Sequence, residues 1–288
     1  MIKIKRTLSV ARTAYTGWLF SSRLLIFGFV FMFEYVYFIH PLIEISKALN
    51  TPLNALEPFC ILVNNQYFVS LLVIGYIVLI ADFPRLDDSA AFTLIRTGKI
   101  PWVVGQMIFL FLAALTYLLF TLLSSMVFVA SESFMLNAWS IAVKTLGSPS
   151  GEELLVLYPS VRVDLSVIMQ ARPYTASVHG ICLIMLFMVT AGLIQMAFAL
   201  IRKKVISVFI NLVICAAGLI LLILKIWLKW CFPISNAVFG WHYDDVFNET
   251  NFPIEGSYLY FGGVITVLAA AVIFIAKRCS FHITGGTE

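Results

Sequence analysis

One carboxylate stands deep inside a long apolar run: Glu34, within residues 24–43. An ionisable group in hydrocarbon is costly, so it is a functional candidate by default. Two readings of it stand. Either it hydrogen-bonds a polar residue of a neighbouring helix at a packing interface, or it lines a transport path. Gln106 and Gln195 are candidates of the same kind. The remaining chemistry-bearing side chains are scattered. His40, His179, His242 and His282 fall in different segments and do not converge as metal ligands would. Cys60, Cys182 and Cys215 lie in apolar runs, and Cys231 and Cys279 complete an odd set of 5 with no CxxC spacing. They read as small hydrophobic side chains rather than a disulfide framework or a metal site. No GxxxxGK[ST], HExxH or GxSxG run occurs. No nucleotide cradle or catalytic set, no metal and no cofactor is therefore expected on this chain.

The elements that would position these residues follow from composition. Of 288 residues, 61% are hydrophobic and 12% charged, and the mean hydropathy is +0.98. Soluble domains carry about 25% charged residues, so part of the solvent here must be lipid. A transmembrane helix needs about 20 mostly apolar residues. Six runs qualify, at 24–43, 58–81, 100–131, 173–201, 205–224 and 256–276. Backbone groups in lipid must be satisfied within the segment, so each run is predicted to be helix. The expected fold class is all-α: one polytopic transmembrane domain over 1–288.

Loop charges orient it. With the N-terminus inside, the inner segments hold Lys3, Lys5, Arg6, Arg12, Arg23, Arg85, Arg96, Lys99, Arg202, Lys203, Lys204, Lys277 and Arg278. The outer segments hold only Lys47, Lys144, Arg162, Arg172, Lys225 and Lys229. This Lys/Arg bias predicts cytoplasmic N- and C-termini in a cell membrane. The net charge of +4 then reflects basic loops facing an anionic leaflet, with membrane lipid and not nucleic acid as the partner. Residues 1–23 place Ile4, Leu8, Ala11, Tyr15 and Trp18 on one stripe, with Lys5, Arg6 and Arg12 on the other side. That pattern fits an interfacial helix or an ordinary basic leader. Residues 132–172 and 225–255 are long outer segments, the second rich in aromatics that suit a membrane–water boundary.

The inner loop 82–102 is more specific. Asp87, Asp88 or Ser89 can cap a helix start, and Gly98 can end it in a left-handed conformation with Arg96 and Lys99 near its negative end. Leu86, Ala90, Leu94 and Ile95 would form its apolar face. A loop that only reverses the chain needs a few residues. This one builds a short exposed helix between two spans, and a soluble partner that grips it would move both spans as levers. The bland alternative is a basic anchor without a partner, for which Arg85, Arg96 and Lys99 suffice.

The stretch 82–117 resembles the membrane subunits of bacterial ABC-2-type transporters. It is similar to the compact permeases with a D-F-P opening, a hydrophobic-Arg-x-Gly-basic element, then Trp, Gln and Tyr in the third span. Those residues are Asp82-Phe83-Pro84, Leu94-Ile95-Arg96-Thr97-Gly98-Lys99, Trp102, Gln106 and Tyr117. The resemblance implies an ABC-2-type permease architecture in which 82–99 is a coupling element that docks on a separate ABC ATPase subunit. Asp82, Pro84, Arg85, Leu94, Arg96, Gly98, Lys99 and Trp102 would form the contact. Glu34, Gln106, Tyr117 and Gln195 would be path or interhelix polar residues. It further implies half a transporter, completed by a second permease chain in a homo- or heterodimer, that exports an amphipathic or peptide-like substrate. The rival expectation is a non-transport immunity or sensor subunit that binds a peptide through its outer loops.

Overall fold

A computed structural model describes residues 2–84, 88–163, 165–244 and 249–278. Arg85, Leu86, Asp87, Cys279 and His282 lie outside the described residues, as do the side chains of Asp88, Ser89 and Ala90.

Helix α1 spans Ile2–Leu19 and α2 spans Ser22–Ala48. The stripe expected on α1 divides in two. Ile4 and Leu8 point outward, whereas Val10, Ala11 and Trp18 are buried against α6, Lys99–Val129. The cause is on α6. Gly105 presents no side chain, and a Cβ there would come within 2.8 Å of the Thr7 carbonyl oxygen. Tyr15 Oη and Thr116 Oγ1 lie 2.7 Å apart and fasten the same contact. Thus α1 is docked on the bundle through one face, and its outward Ile4 and Leu8 remain free to meet lipid.

Within α2, residues Tyr35–Ile39 widen into one π turn directly after Glu34. Pro41 is the local reason. It has no N–H to offer the Tyr37 carbonyl, which a regular helix would require. The hydroxyl of Ser160 donates to that carbonyl instead.

The run at 58–81 is predicted as one helical span, and here the structure differs. It is two helices, α3 at Glu57–Asn64 and α4 at Gln66–Leu79, bent by 84°. Asn65 is extended (φ −86°, ψ 112°), and its side-chain oxygen accepts from the Tyr67 and Phe68 amides, each at 3.0 Å. A short polar side chain that caps the next helix competes with continuing the last one. Asn64 adds a tether: its Nδ2 donates to the Cys60 carbonyl at 2.8 Å, and its Oδ1 accepts the Gly240 amide at 2.8 Å. Helix α4 alone rises about 21 Å, short of the ~30 Å hydrocarbon layer.

Helices α7 (Pro173–Leu200), α8 (Lys204–Ile223) and α9 (Ile254–Arg278) complete the bundle. Among the described residues, five helices are long and apolar enough to cross a membrane, and the bent pair makes a sixth crossing if taken as one. The chain is an all-α polytopic membrane protein. Helix α7 is central and packs on α3, α4, α6, α8 and α9. The outer surfaces carry the apolar side chains that lipid would cover, among them Phe29, Met32, Val127, Phe209, Leu259 and Phe274.

The two ends of the bundle differ. At one end Arg23 pairs with Asp82, Lys204 donates to the Asp82 carbonyl, and Lys99 donates to the Lys277 carbonyl. Four segments that the charge count assigns to one side do meet there. The other end is closed by a two-residue parallel pairing of β1 (Leu53–Asn54) with β2 (Ser133–Phe134) and by short helices at Ile141–Leu146, Glu152–Leu157, Leu165–Gln170 and Pro233–Ala237.

Candidate functional site

The D-F-P turn is pinned from three sides. Arg23 holds the Asp82 carboxylate at 2.6 Å and donates to the Val78 carbonyl at 2.8 Å. Lys204 Nζ donates to the Asp82 backbone oxygen at 2.9 Å. The Phe83 ring stacks on Phe109 of α6 with centroids 4.0 Å apart, and Pro84 is buried. From this fixed turn the chain enters α5, Asp88–Thr97. Gly98 ends it: the Gly98 amide donates to the Leu94 carbonyl at 2.8 Å, and its φ of +88° is a value that side-chain-bearing residues rarely adopt. Trp102, one turn into α6, is fully buried and anchors the far side.

Helix α5 is therefore held at both ends while its outer face stays open. Leu94 packs inward on the core. Ile95, expected beside it on one apolar face, points the other way and is 68% exposed, with Phe92 at 67% and Arg96 also exposed. Successive helical residues are turned by about 100°, so Leu94 and Ile95 cannot both face the core once the ends are fixed. Phe92 and Ile95 share a face at i, i+3 spacing, a signal present in the sequence that the expected stripe left out. The result is a small apolar patch edged by a guanidinium.

The residues expected along a path do not form one site. Glu34 is fully buried and its Oε2 accepts from Ser124 Oγ of α6 at 2.9 Å, so the interhelical bond expected of it exists. Among the described residues its Oε1 has no partner, nor has the buried hydroxyl of Tyr117. Phe27 meets Tyr117 edge-on at 5.1 Å. Gln106 lies 18 residues before Ser124 on α6, or about 27 Å along the axis. Gln195 Nε2 donates to the Ile77 carbonyl at 3.4 Å, near the α5 end as well. Gln106 and Gln195 each keep a buried oxygen without a partner among the described residues.

At the opposite end lies a second buried carboxylate, Glu57. Both of its oxygens are engaged. Oε2 accepts the Asn54 amide at 2.7 Å and Oε1 accepts the Ser140 amide. Asn54 Nδ2 in turn donates to the carbonyls of Leu136 and Ala138. One side chain thus joins the loop before α3 to the loop after α6.

A third buried group is a chain of side chains under the aromatic segment. His242 Nδ1 faces the Phe239 carbonyl at 3.0 Å, and Nε2 faces Ser257 Oγ at 2.8 Å. Ser257 Oγ donates to Asn236 Oδ1 at 2.8 Å. The hydroxyl has one proton and two acceptors when the imidazole is neutral with its proton on Nδ1. Burial pushes His242 down from 6.5 to about 4, against the opposing pull of the Phe239 and Val238 carbonyls. The sign follows directly. Between pH 6.5 and 4 the unfolded state binds a proton that the folded state refuses. Stability is therefore full above 6.5 and falls as the pH drops, by about 3 kcal/mol in all at pH 4. Unfolding titrations at pH 7.5 and 4.5 should show this loss, and His242→Gln should remove most of the difference. His179 stacks on the other face of this region, 5.5 Å from Phe239, and bonds Tyr258 at 2.9 Å. Among the described residues no group of three or more His, Cys, Asp or Glu side chains is placed to hold a metal ion.

No family model, curated protein or solved structure matches the chain. The functional reading therefore stands on its own residues.

Proposed function

We propose that this chain is the membrane-spanning subunit of an ATP-driven ABC exporter of the ABC-2 type, with the bent pair serving as one of six crossings. The observation that carries the reading is α5: a ten-residue helix held between two spans, with Phe92, Ile95 and Arg96 exposed on one side. Arg23, Lys99, Lys204 and Lys277 gather at the same end. By the positive-inside rule that end is cytoplasmic, as are both termini, and a soluble motor could reach it. An apolar patch with an arginine at its edge has the composition of an interface anchor. The partner is a separate ABC ATPase, and a second permease chain completes the transporter in the cell membrane. The rigid mounting of α5, through Asp82, Phe83, Gly98 and Trp102, would pass a push from the ATPase to α4 and α6 together.

The test is co-purification of a nucleotide-binding ATPase with the detergent-extracted protein from its native cells. Arg96 and Phe92 are exposed, so Arg96→Glu and Phe92→Asp should leave the fold intact while weakening the association roughly thirtyfold or more. Deletion of residues 89–99 should abolish it. If no ATPase accompanies the intact protein, the transporter reading fails and the peptide-binding sensor or immunity subunit takes its place.

A further inference from the structure

The C-terminal half of α2 and the end of α6 enclose a pocket of about 290 Å³ at the Glu57 end of the bundle. Its polar lining is His40, Glu44, Lys47, Ser131 and Glu132, and Tyr35 and Phe128 form an aromatic wall. Lys47 answers Glu44 at 3.7 Å. Among the described residues Glu132 has no ion pair, so the pocket carries surplus negative charge. Tyr35 stands at the start of the π turn, which places its ring against Phe128 with centroids 4.6 Å apart. Such turns recur where a helix must aim a side chain at a site.

The pocket does not end in polar residues. From Tyr35 and Phe128 a seam of rings runs down the α2–α6 contact. Phe31 lies 4.7 Å from Phe128 and 6.3 Å from Phe120, and Phe120 lies 4.8 Å from Phe27. Tyr35 and Phe31 are each 36% exposed on the side that faces lipid, flanked by outward Met32 and Val127. A polar cup with excess carboxylate and aromatic faces thus opens onto an apolar track within the membrane.

We propose that this pocket binds the ammonium headgroup of a single-chain amphiphile, whose alkyl tail lies on the ring seam. An ammonium is drawn both to the uncompensated Glu132 carboxylate and to the faces of Tyr35 and Phe128. An anionic headgroup would meet the wrong sign. The tail would replace lipid along Phe31 and Phe120 and gain contact with rings that are already ordered. The site stands on the chemistry of the pocket. Any place for the site in transport would rest on the function proposed above.

The probe is tritiated dodecyltrimethylammonium, added to the immobilised full-length chain in dodecyl maltoside at fixed detergent concentration and read by scintillation proximity. Saturable binding is expected. Unlabelled dodecyltrimethylammonium should displace it, and dodecyl sulfate or tetramethylammonium at equal concentration should not. Glu132→Gln should weaken binding about fivefold, and Tyr35→Leu, which keeps the bulk and loses the ring face, about threefold. Glu132 is exposed, so its variant should elute as the parent does. Absence of saturable binding, equal displacement by dodecyl sulfate, or parental affinity in both variants would overturn the site. Equal displacement by tetramethylammonium would overturn the tail track. The assay contains no ATPase, so its failure leaves the coupling reading untouched, and loss of ATPase co-purification leaves this site untouched.

Discussion

Replacing Glu57 by leucine should destabilise the detergent-extracted protein by about 4 kcal/mol. The side chain is fully buried and its two oxygens accept the backbone amides of Asn54 and Ser140. Leucine fills the space and accepts nothing. Each orphaned amide then bears the cost of desolvation without a bond, about 1–3 kcal/mol apiece. The Ser140 amide lies at the cap of the Ile141–Leu146 helix, so the loss extends to the loop that carries Trp139, whose Nε1 donates to the Ala171 carbonyl at 2.7 Å. Glu57→Gln keeps one acceptor oxygen and should fall between the two, at about 2 kcal/mol. Unfolding by sodium dodecyl sulfate in mixed micelles reads both values. A leucine variant as stable as the parent would mean that the closure between the two loops does not depend on the carboxylate.

Glu34→Met should act with the opposite sign. Glu34 is as deeply buried as Glu57, yet one of its oxygens is unpartnered. Ser124, its one hydrogen-bond donor among the described residues, has a single hydroxyl proton and also lies 3.0 Å from the Thr121 carbonyl, which takes that proton when the carboxylate is gone. Methionine therefore orphans nothing and removes an ill-matched polar group. Replacing such a group by apolar bulk is commonly neutral or stabilising, here by about 1–2 kcal/mol. If transport activity is lost in the same variant while stability is kept or raised, Glu34 serves function and not folding. A Glu34→Met variant that fails to fold would assign the residue to structure, as the packing reading of it holds.

The two carboxylates show where sequence reading stops. Glu34 is conspicuous because it interrupts an apolar run, and Glu57 is not, because it precedes one. Yet Glu57 is the residue whose removal should cost more. What separates them is the supply of amide donors, and those come from Asn54 and from Ser140, which is 83 residues away. No local pattern encodes a contact of that separation. The break in the second span is intermediate. Asn64-Asn65-Gln66 interrupts the first half of the run, but whether such residues snorkel, cap or bend depends on what they can reach. Asn64 reaches Gly240, and the helix turns by 84°.

Membrane residence, the number of apolar runs and the short helix between Asp88 and Gly98 were legible in the residues alone. Each rests on a local cause: apolar length against a fixed hydrocarbon thickness, and a glycine that ends a helix at φ +88°. Charge counting likewise predicted that the segments of Arg23, Asp82, Lys204 and Lys277 share a face, since Lys and Arg are biased toward one side of a bilayer. The tertiary structure alone decided which side of each helix meets protein. Gly105 draws Val10 inward on α1, Phe109 and Phe27 receive Trp18, and the fixed ends of α5 turn Leu94 in and leave Phe92 and Ile95 out. In a chain this apolar, hydrophobicity no longer separates core from surface, because lipid and protein interior are equally good solvents for the same side chains. Shape and hydrogen-bond partners make that choice, and both belong to the neighbours.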